Sequence, residues 1–361
     1  MTTLAQEQPA GVTGGVDTHK DVHVAAVLDG VGRLLGTESF PAERGGYREL
    51  LAWMAGFGAV QAVGVEGTGS WGAGLARFLA ARHVRVVEVN RPNRQNRRRR
   101  GKSDPLDAEA AARAVLSGQA AVVPKAGDGP VEALRQLRVA CAGAIKARTA
   151  AANQLHSLCD TAPEDIRAKL RGRSVAKMVA AAERWPAGPG LDLNSAATQA
   201  IAAVARRWRH LDDETRNLKA SIDTILNLLA PALMAVHGVG PDTAGQLLVT
   251  AGDNPERVRS ESSFAALCGA SPVPASSGRT TRHRLNRGGD RHANSALWII
   301  VRARMAHHQP TRDYVERRTA QGLTKREIMR CLKRYVAREL FPHIQTITTN
   351  QQPHNPPITA P

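Results

Sequence analysis

From Gly14 the chain alternates short apolar runs with glycine and aspartate: GGVDTHKDVHVAAVLDG is followed by GRLLGTESFPA. β-Branched and apolar residues bounded by turn formers read as strands, here three in a meander. Between Glu43 and Phe57 the apolar positions Leu50, Leu51 and Met54 take helical spacing, the compact run AVQAVGVEG follows, and a second helix is expected over Trp71–Arg82. VRVVEVN closes the series as a further buried strand. The order β-β-β-α-β-α-β, with one more helix after it, predicts a mixed sheet covered by helices, an α/β domain over residues 12–125.

The pattern then changes period. Residues 130–230 are rich in Ala, Leu, Arg and Gln, and their helical periodicity breaks at WPAGPGL, residues 185–191, where Pro and Gly force a turn. A long helical hairpin is expected. Its second arm, residues 195–229, places apolar side chains three or four apart from Ile201 through Val204, Trp208 and Ile222 to Leu229. That spacing suits either a coiled coil between copies or an intramolecular bundle. Residues 231–345 read as a compact helical domain, and residues 346–361, polar and Pro-rich, as a disordered tail. The fold class is α/β followed by all-α.

Charge narrows the function. The 361 residues carry 49 Lys and Arg against 32 Asp and Glu, a formal net charge of +17, which favours polyanionic partners and above all nucleic acid. The positive charge is concentrated. Arg91, Arg94, Arg97, Arg98, Arg99, Arg100 and Lys102 fall in one stretch without an acid, and residues 277–338 hold sixteen Lys or Arg against four Asp or Glu. Both stretches read as phosphate-contacting surface. Cys141, Cys159, Cys268 and Cys331 lie far apart with no CxxC pair, which argues against a zinc site or a disulfide framework and fits a reducing compartment. The N-terminal MTTLAQEQPAGVTGG has no signal-like apolar core, and no run approaches the roughly 18 apolar residues of a membrane span. A cytoplasmic protein with no membrane partner is expected.

Four acids stand where they can meet. Asp17 belongs to the first strand, Glu66 ends the fourth, and Asp104 and Asp107 open the helix after the arginine run, with Pro105 just inside its start and Ser103 or Asp104 as cap. Three residues apart on a helix, Asp104 and Asp107 project from one face. Each acid alone is an ordinary turn, loop or cap residue, so the joint placement carries the reading. Carboxylates so close repel unless cations neutralise them, and hard oxygen ligands suit Mg²⁺ or Mn²⁺.

Two further blocks bear on nucleic acid. VHGVGPDTAGQLLVTAG, residues 236–252, sets Gly238 and Gly240 between helical segments, a helix-hairpin-helix pattern whose backbone N–H groups can hold a phosphate without reading a base. Farther on, a Ser-Ser-Gly turn at Ser276, Ser277 and Gly278 precedes Arg279, Arg282 and Arg284. A serine hydroxyl is a weak nucleophile until a base or cation assists it, and these arginines could stabilise a phosphate bonded to it. Alone, SSG is a common loop sequence.

VDTHKDVHVAAVLD, VEGTG and KSDPLDAEAAARAVL resemble the N-terminal domain of the DEDD transposases of insertion-sequence family 110. FAALCGASPVPASSGRTTRHRLNRGGDRHANSALWIIVRARM is similar to the C-terminal domain of the same family. The resemblance implies an RNase H-like first domain, as in Holliday-junction resolvases. It assigns the four metal-binding acids to Asp17, Glu66, Asp104 and Asp107, and the nucleophile to Ser277, with Ser276 as the fallback. The family's RGN-like element stands here as Arg287-Gly288-Gly289-Asp290, a departure in both the extra glycine and the aspartate. Further implications are a transient phosphoserine link to DNA, donor and target DNA as partners, and a structured noncoding guide (bridge) RNA. The active site would be composite, with the serine contributed by another subunit of a homo-oligomer, a dimer or tetramer. The alternatives are a site-specific DNA invertase of the same family, a junction-resolving nuclease that uses the acids alone, and a non-catalytic nucleic-acid-binding protein.

Overall fold

β1 (Gly11–Thr18), β2 (Val22–Leu28) and β3 (Leu34–Pro41) form the expected antiparallel meander, with Thr13 opposite Leu28 and Val22 opposite Pro41. These elements belong to a computed structural model that describes residues 11–89, 103–186, 188, 190–254, 257–278 and 283–350, with side chains to residue 347. α1 (Arg44–Ala55) returns the chain so that β4 (Ala59–Glu66) lies parallel to β1, and α2 (Ala73–Ala80) leads to β5 (Val86–Val89), parallel to β4. The five-stranded sheet has the order β3-β2-β1-β4-β5, which puts β1 at its centre.

Period-two alternation divides the central strands between two faces. Val12, Val16, Val63 and Val65 point toward α1 and α2, where Leu50, Met54, Leu75 and Leu79 complete a buried core. The opposite face carries glycine at the matching places. A Cβ at Gly15 would stand 2.2 Å from both the Ala108 carbonyl oxygen and the Ala112 nitrogen, and one at Gly64 would stand 2.9 Å from the Ala111 oxygen. Their missing side chains let α3 (Asp104–Leu116) lie backbone-close on the sheet, with Ala108, Ala111 and Ala112 as its buried contact face.

The helical remainder departs from a simple hairpin. Pro163 offers no N–H, so the first arm stops early: α4 (Pro130–Thr161) is followed by two short helices, α5 (Glu164–Leu170) and α6 (Val175–Ala182), before α7 (Leu193–Leu229). Leu155, Ile166, Met178 and Val179 pack with Ile201 and Val204, so the apolar face of the first half of α7 is covered within the chain. α8 (Pro231–Met234), α9 (Pro241–Ala251) and α10 (Glu261–Leu267) follow. A two-stranded ribbon, β6 (Val273–Pro274) and β7 (His283–Arg284), interrupts the helices; two residues per strand are too few to show alternation in the sequence. α11 (Arg291–His307), α12 (Gln309–Ala320) and α13 (Lys325–Asn350) complete the chain. α13 runs on into the stretch expected to be disordered, because Ile344 and Ile347 extend its buried apolar stripe. Residues 351–361 lie outside the described part.

Two compact units result, each made of separated segments. The described parts of residues 1–131, 250–289 and 337–361 form the first, and residues 132–249 and 290–336 the second. Long-range hydrogen bonds join the first unit's segments: the Val131 N–H donates to Asp253 Oδ1 at 2.8 Å, and Asn254 Nδ2 donates to the Pro124 oxygen at 3.0 Å. In the second unit the buried Arg304 donates through Nε to the His237 oxygen at 2.8 Å, and Lys333 Nζ donates to Asn294 Oδ1 at 2.8 Å. Among the described residues no helix is long and apolar enough to cross a membrane.

Candidate active site

Strand alternation brings two acids to one edge of the sheet. Asp17 lies two residues beyond Gly15 and Glu66 two beyond Gly64, so both face the side on which α3 packs. β1 and β4 run parallel with Val16 beside Val65, so their carboxyl ends finish together, and Thr18 Oγ1 donates to the Glu66 backbone oxygen at 2.9 Å. α3 arrives over the same edge. Ser103 takes the N-cap position in extended backbone without a side-chain cap, and its carbonyl accepts the Asp107 N–H at 3.0 Å. Asp104 and Asp107 fall in the first turn, where the helix dipole favours negative charge.

The closest convergence includes a residue not selected from the sequence. His19 follows β1, and its Nε2 lies 3.3 Å from Asp17 Oδ2 and 3.4 Å from Asp104 Oδ2. One ligand atom from each of Asp17, His19 and Asp104 can be chosen so that all lie within 4.8 Å of one another. Asp17 and Asp107 are buried, Glu66 is half-buried at its strand end, and Asp104 is half exposed, so the cluster opens to solvent on the α3 side. Two carboxylate oxygens and an imidazole nitrogen at this spacing are a donor set for a divalent cation, and the close seating of α3 at Gly15 and Gly64 holds them there. Trp71, in the turn after Glu66, is 57% exposed, with its ring 6.4 Å from that of His19. The signal for His19 lay in the D-x-H spacing of VDTHKD, since residues two apart at a strand end share a face.

The remaining predicted residues belong to other parts of the sequence. Ser276 and Ser277 are exposed in the β6–β7 ribbon, ahead of Gly278, and Arg284 is exposed on β7. Ser277 belongs to the same compact unit as the acids. Arg279 and Arg282, and the whole basic run from Arg91 through Arg94, Arg97, Arg98, Arg99 and Arg100 to Lys102, lie outside the described residues. Gly238 adopts φ +81° in the turn between α8 and α9. The Gly240 N–H is already engaged, donating to Thr243 Oγ1 at 3.0 Å, while that hydroxyl donates back to the Gly240 oxygen at 2.9 Å.

A mixed α/β domain with this cluster at its sheet edge, continued by a basic helical region, defines a protein of the transposase class once sequence comparison is added. Residues 14–162 match the family model of DEDD transposases of the IS110 type, and residues 230–316 match the model described as transposase of the IS116/IS110/IS902 family. The chain belongs to the IS110 family of DEDD transposases. It is also similar to an insertion element IS110 protein of Streptomyces coelicolor, described as uncharacterized, at 30% identity over 144 residues. The similarity takes in 39% of this chain and spans 35% of the length of that relative.

Proposed function

We propose that the protein is a DNA recombinase that cuts and rejoins strands during movement of an insertion sequence. The observation that carries this reading is the convergence of Asp17, His19 and Asp104 at one sheet edge, beside the strand end bearing Glu66 and the helical turn bearing Asp107, in a chain of a transposase family. A sheet of order β3-β2-β1-β4-β5, antiparallel at β1 to β3 and parallel from β1 to β5, supports an RNase H-like first domain. Asp17, Glu66, Asp104 and Asp107 would hold Mg²⁺ or Mn²⁺, and the bound cation would offset charge that builds on a phosphoryl group.

Ser277 is the proposed nucleophile. Its Oγ forms a bond to a DNA phosphorus as the P–O bond to the departing strand breaks; the hydroxyl proton passes to solvent base, and the leaving oxygen is protonated in turn. The phosphoserine ester keeps the bond energy that hydrolysis would lose, so a second strand end can reverse the step and join. Exposure of Ser277 and Arg284 on the β6–β7 ribbon is compatible with delivery to DNA, including to the acid cluster of another subunit in a dimer or tetramer. The turn from α8 to α9 supports a helix-hairpin-helix reading, with phosphate contact through N–H groups other than that of Gly240. A net charge of +17 suits a structured guide RNA as well as donor and target DNA.

The test is a joining assay on supercoiled donor and target DNA with RNA transcribed from the flank of the element. Ser277→Ala should abolish joining together with the denaturant-stable protein–DNA adduct, and Asp104→Asn should abolish both while RNA binding persists. Joining by Ser277→Ala, or full activity in EDTA, would overturn the mechanism. Free strand ends with no adduct would instead support the hydrolytic nuclease.

A further inference from the structure

The position of His19 says more about the centre than its acids do. The chain turns sharply after β1, the His19 N–H donating to the Val22 oxygen at 3.1 Å, and this turn returns the imidazole over the edge that carries Asp17. The ring as a whole is well exposed, yet its Nε2 is shielded from solvent and makes no hydrogen bond. It stands 3.3 Å from one carboxylate and 3.4 Å from the other, contributed by a strand and a helix, and is aligned with neither. An imidazolium held by an ion pair turns its N–H onto one oxygen; a nitrogen that straddles two oxygens is directed at a point between them. Neighbouring ligands about 2.1 Å from a shared cation stand about 3.0–3.4 Å apart, from octahedral to tetrahedral geometry, which is the spacing His19 keeps.

We infer that His19 is a protein ligand of the cation shared with Asp17 and Asp104, so that the centre holds one imidazole nitrogen among its oxygens. The inference rests on the metal reading proposed above and adds a selectivity to it. Four carboxylates make a hard site suited to Mg²⁺, whereas an imidazole nitrogen raises affinity for softer divalent ions, so the preference moves toward Mn²⁺ and Co²⁺.

The experiment uses full-length protein loaded with Mn²⁺ and pulsed electron paramagnetic resonance, which detects a directly bonded ¹⁴N by its modulation of the electron-spin echo. Wild-type protein should show that modulation, and His19→Gln should lose it while retaining weaker Mn²⁺ binding through the carboxylates. The loss of Mn²⁺ affinity should be roughly tenfold or more, with Mg²⁺ affinity falling less. Mn²⁺ bound by the wild type without nitrogen modulation, or modulation that survives in His19→Gln, would overturn the inference and leave the carboxylate centre standing. Wild-type protein that binds no Mn²⁺, with Asp17→Asn changing nothing, would overturn both. The wild-type spectrum decides by itself if the variant fails to fold.

Discussion

Gly15 shows how much one missing methyl group controls. A side chain there would meet the backbone of α3 at 2.2 Å, and backbone cannot yield as a side-chain tip can. Overpacking of this kind costs about 1–3 kcal/mol, so Gly15→Ala should lower the unfolding free energy measured in urea by an amount at or above the upper part of that range. It should also weaken Mn²⁺ binding, because the displaced helix carries Asp104. Gly30→Ala, where an added Cβ meets nothing within 4 Å, should shift stability by less than about 0.5 kcal/mol. His23 illustrates a different constraint. It is fully buried on β2 and stacked 5.6 Å from the Tyr47 ring; burial, with a smaller contribution from His19, holds its pKa below the ordinary histidine value despite an opposing backbone hydrogen bond at Val22. The unfolded chain therefore takes up this proton first. Stability is full above about pH 6.5 and falls as the pH drops from there toward the depressed folded-state value. Thermal melts from pH 7.5 to 5.0 should show this decline, and His23→Phe, which keeps the stack without the proton, should flatten it.

At the scale of elements, what could be read from the sequence was whatever depends on short range. The meander, the parallel β4 and β5, the breaks at residues 185–191 and the opening of α3 by Asp104-Pro105 all follow from local pattern and turn chemistry. The placement of the four acids at strand ends and in a helix's first turn was legible for the same reason. For His19 the D-x-H spacing is the one trace in the sequence, and it gains meaning only when α3 brings Asp104 to the imidazole. Likewise Gly15 and Gly64 read as ordinary strand glycines until the helix they admit is known. The departure at Arg287-Gly288-Gly289-Asp290 gains a local explanation. Asp290 is the N-cap of α11, accepting the His292 N–H at 2.7 Å and the Ala293 N–H at 3.2 Å. Replacing an aspartate cap by alanine costs about 1 kcal/mol, so Asp290→Ala should lower the unfolding free energy by that amount. Asp290→Asn should keep most of it, since asparagine caps nearly as well. Chemical denaturation of the two variants separates a capping role from a purely electrostatic one, for which both would lose the same amount.

Over the whole molecule, spatial units and sequence blocks are different divisions. Each unit draws on separated segments, the first across the 118 residues from 132 to 249 and the second across the 40 from 250 to 289, and bonds that join them, such as Val131 to Asp253 in the first unit, involve a backbone N–H and a single carboxylate that leave no periodic trace. Net charge is the property that survives any such rearrangement, because it depends on composition alone. With +17 spread over 361 residues, the open issue is which positive charges meet phosphate. The run at Arg97, Arg98, Arg99 and Arg100 has no acid within its own stretch of sequence, and each phosphate contact on duplex DNA adds about 0.9 to the slope of log affinity against log salt. Replacing all four by glutamine should therefore reduce that slope by up to about 3.6 and weaken binding alike for every duplex sequence. Cleavage at saturating protein should be little changed if the run serves only to hold the backbone. Filter binding over a salt series measures the slope directly, and an unaltered slope would move the phosphate contacts to the other basic stretch, residues 277–338, whose sixteen Lys and Arg could then be removed in groups by the same assay.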